Sequence, residues 1–168
     1  MAGVLVWLEG VVRTPLLTDA ALSITVFGSV TVAALVIYTL YHFGLRQEAV
    51  LSLAATVLAG LTALAGKTLI SRPRPSVIDP LITTGVHTAA FPSGHTTLAF
   101  ALATVLEQEL DGANYYLYGL AAVVGVSRLY LGLHYPGDVV AGAAVGVVSG
   151  LLVHRYREHL LAAADRYI

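Results

Sequence analysis

Six side chains between positions 67 and 138 carry most of the chemical potential of a chain that is 57% apolar and only 11% charged. Lys67, Arg74 and Arg128 are cations at or just beyond the ends of apolar stretches, His95 and His134 are titratable imidazoles, and Asp138 follows His134 by four residues. Charged groups at the edge of a membrane helix are costly and tend to be functional. Three cations meeting at one membrane surface would repel one another unless an anion neutralised them. Phosphate, with three exposed oxygens, is the obvious candidate, because guanidinium groups meet it through forked hydrogen bonds and lysine meets it as a point charge.

The stretch Pro92-Ser93-Gly94-His95 reads as a helix start, with Ser93 a capping residue type and Gly94 allowing close backbone approach. Free amide groups at such a start favour an anion. The segment would finish a phosphate cradle and deliver His95 beside it. Further on, Pro136 suits the first turn of another helix, which leaves His134 just outside and Asp138 within that turn. From there Asp138 could accept the Nδ1 proton of His134 and leave Nε2 free. That is the base-and-orienter logic of a catalytic triad, with the imidazole itself as nucleophile.

These residues need elements to hold them. A soluble domain has about 25% charged residues, so this composition, with a mean hydropathy of +0.80, predicts a membrane protein. A net charge of −1 offers no basic surface for nucleic acid, and the lack of cysteine excludes disulfides and thiolate chemistry. No secretory leader is evident, and the chain reads as mature. Apolar runs predict spans at 20–43, 48–70, 94–110, 114–131 and 136–154, the first capped by Asp19. The fold class is therefore all-α: an integral membrane bundle of about five transmembrane helices plus an N-terminal interfacial helix containing Trp7. The expected organisation is an interfacial segment 1–19, a membrane-embedded domain 20–155 and a cytoplasmic tail 156–168.

The 71–92 connection holds four of the six prolines and cannot continue a helix. Its length suits a lid or binding segment, with Val77, Ile78, Leu81 and Ile82 shaping substrate choice. Five spans place this loop and the 131–136 turn on one side. The opposite side holds Arg46, Arg155, Arg157 and Arg166 against Arg13 and Arg72, so the positive-inside rule puts the tail in the cytoplasm and the site on the extracytoplasmic side of the cell membrane. Glu107 and Glu109 belong at the water interface. Tyr115, Tyr116 and Tyr118 read as an aromatic belt, His42, His154 and His159 as interfacial residues, His87 as a solvated loop residue, and Arg72 as a headgroup-facing or solvated-loop residue.

Together "KTLISRPRP" (67–75), "PSGH" (92–95) and "SRLYLGLHYPGD" (127–138) resemble the type-2 phosphatidic acid phosphatase family of integral membrane lipid phosphatases, related to bacterial acid phosphatases and vanadium haloperoxidases. The pattern K-x6-RP, PSGH, SR-x5-H-x3-D is complete and in order. The resemblance implies that His134 attacks phosphorus and carries a phosphohistidine, that Asp138 orients it, and that His95 protonates the leaving alkoxide and then activates water. It further implies that Lys67, Arg74 and Arg128, with the Ser93 and Gly94 amides, hold the phosphoryl oxygens. The implied substrate is a phosphate monoester or pyrophosphate of a lipid: phosphatidate, phosphatidylglycerol phosphate or polyprenyl pyrophosphate.

General acid help of about 10²–10⁴-fold suits an alkoxide leaving group, and the cations replace the magnesium of other phosphoryl-transfer sites. No metal or other cofactor is expected, because three nearby cations would oppose a dication held by His95, His134 and Asp138. The rivals are a lipid phosphotransferase using the same intermediate, a haloperoxidase, and a non-catalytic lipid-binding membrane protein. Excess EDTA should leave phosphate release from a lipid phosphate unchanged; loss of release in chelator would overturn the metal-free expectation.

Overall fold

The computed structural model describes residues 14–75, 89–110 and 114–166, and every regular element among them is helical. Seven α-helices follow in order: α1 (Pro15–Thr25), α2 (Val30–His42), α3 (Arg46–Ile70), α4 (Gly94–Glu109), α5 (Asn114–Tyr130), α6 (Pro136–Arg155) and α7 (Arg157–Ala164), with a 3₁₀ turn at Val26–Gly28. The expected interfacial helix around Trp7, the segment with Val77, Ile78, Leu81, Ile82 and His87, and part of the acidic 107–112 turn lie outside the described residues.

Helix α4 is the axis. Thr96, Thr97, Leu98, Ala99 and every residue from Ala101 to Leu106 are buried, and α3, α5, α6 and the 3₁₀ turn pack around it. At 16 residues it spans about 24 Å. A helix wrapped by protein need not match the bilayer by its own length, because its faces meet other helices rather than lipid. One core cluster joins α3 (Leu51, Ala55, Ala59) to α4 (Leu98, Ala101, Val105) and Val153 of α6. The outer faces are apolar instead: Leu53, Val57, Leu61 and Leu64 on α3 and Val140, Val148 and Leu151 on α6 are exposed. Apolar side chains outside and small or hydroxyl side chains inside are the arrangement of a bundle solvated by lipid.

The most extensive helix pair is α4 with α6. Helix α6 turns Gly142, Gly146 and Gly150, spaced by four, toward α4. A Cβ on Gly142 would lie 2.8 Å from Ser93 O, one on Gly146 2.4 Å from Thr97 O, and one on Gly150 2.6 Å from the Thr104 Cβ. The two backbones touch along this stripe, as small-xxx-small packing allows.

Several expectations need correction. The 20–43 run is not one helix: Pro15–Gly28 and Val30–His42 meet at 55°. The break falls at Ser29, whose extended backbone ends the 3₁₀ turn and whose hydroxyl caps α2 through Val32 N at 3.2 Å. Helix α1 begins at Pro15, so the boundary at residue 20 falls inside it. Thr14, not Asp19, is the cap, because proline at the first helical position starts a helix rather than ending one. Arg46–Ile70 and Pro136–Arg155 are each long and apolar enough to cross a membrane, with the bent pair a third crossing if it acts as one span.

The tail is helical too. Leu160 and Leu161 of α7 pack on the core cluster. Glu109, expected at the water interface, has a side chain only 5% exposed, bound by His154 Nδ1 at 2.8 Å and Arg157 Nη2 at 3.3 Å. Tyr115 and Tyr116 are exposed as a belt requires, but the Tyr118 hydroxyl turns inward to Thr104 Oγ1 at 3.0 Å.

Gly146→Val forces the α4 and α6 backbones apart and should lower stability by about 1–3 kcal/mol. Gly119→Ala, at an exposed position where a Cβ meets nothing within 4 Å, should be neutral or slightly stabilising. Thermal unfolding in detergent reads both; an unchanged melting temperature for Gly146→Val would contradict the packing.

Candidate active site

The alternating helix directions bring the C-termini of α3 and α5 and the N-termini of α4 and α6 to one end of the bundle, and the candidate residues with them. Each terminus ends or starts for a local reason. Ser71, at φ 46°, closes α3 in the left-handed region. Gly132, at φ 72°, closes α5 in a Schellman turn, with Leu133 N donating to Arg128 O and Gly132 N to Leu129 O. That turn leaves His134 one residue before Tyr135, the cap of α6.

His134 is 2% exposed, and its Nδ1 lies 2.8 Å from the Ala90 carbonyl. A carbonyl only accepts, so Nδ1 carries the proton and Nε2 keeps its lone pair. The expected acceptor was Asp138, which instead stands 3.8 Å from Nδ1, beyond hydrogen-bond range. Each Asp138 oxygen has another donor. Oδ1 accepts from Arg72 Nη1 at 2.9 Å and Oδ2 from the Tyr135 amide at 2.8 Å. The tautomer is the expected one, set by a main-chain group that no side-chain pattern could reveal.

Arg72 is the second departure. Expected as a loop or headgroup-facing residue, it pairs with the wholly buried Asp138 and lies 4.3 Å from the centre of the Tyr135 ring. The third is Ser93. Its amide donates to Asp138 O at 3.0 Å, so it is not free for an anion, and its hydroxyl accepts from Thr96 Oγ1 rather than capping α4. Gly94 remains at the helix start, its missing Cβ 3.9 Å from the Lys67 Cε.

The cations converge as expected, each held differently. Lys67 Nζ donates to Ala89 O at 2.7 Å and Pro92 O at 3.0 Å, leaving one of its three protons. Arg128, 4% exposed, donates from Nη1 to Thr25 Oγ1 at 2.6 Å, while its buried Nε has no hydrogen-bond partner among the described residues. Arg74 is half-buried, which presses its pKa below the usual guanidinium value. Lys67, Arg72 and Arg74 line an open cleft of about 560 Å³ with Leu64, Thr68 and Ser71. His95, in the first turn of α4, is within electrostatic range of His134 and of Lys67, Arg74 and Arg128. Gly28 lies against it: a Cβ there would be 2.7 Å from His95 O.

Among the described residues, the site therefore offers a buried imidazole whose Nε2 keeps its lone pair, a second imidazole nearby, and Lys67 and Arg128 with donor capacity to spare. Such a set can bind a tetrahedral anion and attack it.

The comparisons with known proteins agree with this chemistry. The chain is 33% identical over 143 residues to undecaprenyl-diphosphatase BcrC of Bacillus subtilis (strain 168), covering 79% of this chain and 71% of that protein. Several other curated relatives are matched over only 19% to 60% of their own length. The crystal structure of Aquifex aeolicus LpxE superposes with a TM-score of 0.76 at 29% identity, over 86% of this chain and 89% of that one. The crystal structure of the first transmembrane PAP2 type phosphatidylglycerolphosphate phosphatase from Bacillus subtilis gives the same score at 27% identity, over 88% and 80%. A family model described as the PAP2 superfamily matches residues 48–161, from the first turn of α3 into α7 and across Lys67, Arg74, His95, Arg128, His134 and Asp138. The chain belongs to the PAP2 superfamily and is a membrane-embedded phosphatase.

Proposed function

We propose that this protein hydrolyses a phosphate monoester or pyrophosphate of a lipid through a phosphohistidine on His134, at the extracytoplasmic face of the cell membrane. The observation that supports it most is the hydrogen bond from His134 Nδ1 to Ala90 O, which frees Nε2 inside a ring of positive charge. The Nε2 lone pair attacks phosphorus and the phosphorus–oxygen bond to the leaving group breaks. His95 gives its proton to the departing oxygen. It then takes one from water, whose oxygen attacks the phosphohistidine and releases inorganic phosphate, returning His134 to its starting form.

Arg128, Arg74 and Lys67, with the amide of Gly94, hold the phosphoryl oxygens. The buried Arg128 Nε, without a hydrogen-bond partner among the described residues, fits a ligand oxygen. Asp138 stabilises the charge that develops on His134 from 3.8 Å away. Among the lipid phosphates, the likeness to undecaprenyl-diphosphatase favours a polyprenyl pyrophosphate. The excess of arginine at the opposite end supports the extracytoplasmic placement of the site.

A phosphate-release assay on purified protein with phosphatidate, phosphatidylglycerol phosphate and polyprenyl pyrophosphate tests the reading. Release is expected to be fastest with the pyrophosphate. His134→Ala should lower it by at least about a thousandfold while the protein stays folded, as removal of a nucleophile does. Turnover surviving in clean His134→Ala protein would overturn the mechanism.

The pH dependence carries a sign. Burial lowers the His134 pKa below its ordinary 6.5; Asp138 pulls it up and Arg128, Arg74 and Lys67 push it down, with a net lowering. Neutral His134 therefore persists as pH falls through 6.5. The acid limb of kcat/KM, corrected for titration of the substrate, should lie below that value, and a limb above it would contradict the geometry.

A further inference from the structure

Arg72 stands outside the family motif, yet it touches Asp138, Tyr135 and Ala90, three residues beside the His134 imidazole. Its Nη1 binds Asp138 Oδ1 at 2.9 Å, and its guanidinium lies over the ring of Tyr135, whose amide binds the other Asp138 oxygen. Its main-chain carbonyl accepts from Ala90 N at 2.8 Å, and Ala90 in turn takes the His134 Nδ1 proton on its own carbonyl. The Asp138 side chain is fully buried, while that of Arg72 is 33% exposed and reaches in from the cleft.

We propose that the Arg72 side chain is a positioning group for His134, acting through Asp138 and touching no reacting atom. A buried carboxylate keeps its place only while its charge is compensated. With Oδ1 held by Arg72 and Oδ2 by the Tyr135 amide, Asp138 does not compete with Ala90 O for the Nδ1 proton. Without Arg72 the carboxylate keeps the Tyr135 amide on Oδ2 but loses the partner of Oδ1, and it is then drawn toward His134 Nδ1, 3.8 Å from Oδ2. The imidazole then tilts and Nε2 loses its aim. Arginine suits the place better than lysine, because a planar group can stack on Tyr135 and still donate sideways.

This inference rests on His134 being the nucleophile. Its test compares Arg72→Ala, Arg72→Lys and wild-type full-length protein in detergent, with polyprenyl pyrophosphate as substrate, and includes the melting temperature of each. Arg72→Ala should lower kcat by about ten- to a hundredfold, as loss of a group that orients a working imidazole does, with KM within about threefold. Arg72→Lys should fall between Arg72→Ala and wild type. Guanidinium added at concentrations that leave wild type unaffected should restore part of the lost kcat.

A raised KM with unchanged kcat would make Arg72 a headgroup contact and overturn the proposal. A loss matched by a lowered melting temperature, with no guanidinium rescue, would also overturn it, as a purely structural effect. Should Arg72→Ala fail to fold, the kcat and KM of Arg72→Lys decide by the same criteria. Wild type that released phosphate from no lipid would sink the functional reading and this inference with it; active wild type beside fully active Arg72→Ala sinks this inference alone.

Discussion

The close approach of α4 and α6 is the constraint on which the site depends. Three glycines on α6 remove the side chains that would hold the helices apart, and main-chain and threonine atoms of α4 fill the space. At the end of this seam the Ser93 amide reaches the Asp138 carbonyl. That hydrogen bond ties the residue before α4 to the first turn of α6, and so fixes His95 relative to His134 and Asp138. Bulkier residues along the stripe would separate the two histidines before any catalytic group had been altered.

The arrangement of charge follows from burial. Asp138 is enclosed and answered by Arg72, while Lys67, Arg74 and Arg128 gather around the imidazoles. Carbonyls at Ala89 and Pro92 and the Thr25 hydroxyl take part of the donor capacity of Lys67 and Arg128. Neutral acceptors steady a cation without cancelling it, so the net positive field remains for an incoming anion. The same economy applies to the His134 tautomer: a carbonyl fixes the proton on Nδ1 without adding negative charge beside the imidazole.

What the sequence revealed and what it hid divide along physical lines. Side chains whose identity and spacing carry chemistry, such as His95, His134 and Arg128, were legible, and so were the helix ends marked by Pro136 and by the prolines after Lys67. Main-chain partners were not, because Ala90 and Pro92 act through carbonyls that any residue possesses. Contacts across long separations were equally hidden: Arg128 meets Thr25 over 103 positions. The bend at Ser29 lies within a run that reads as one apolar helix, and only the packed position of Gly28 against His95 shows why it is needed. Arg72 had the right residue type, but its pairing with Asp138 requires the fold.

The trio of Glu109, His154 and Arg157, at the end of the bundle opposite His134, has a mechanical meaning. It joins the last turn of α4 to the end of α6 and the start of α7, while Ser93 and Asp138 join the opposite ends of the first two. Pinned top and bottom with a glycine seam between, these helices can neither slide nor swivel past each other. Any rearrangement of the bundle therefore falls more readily to the periphery than to this pinned pair.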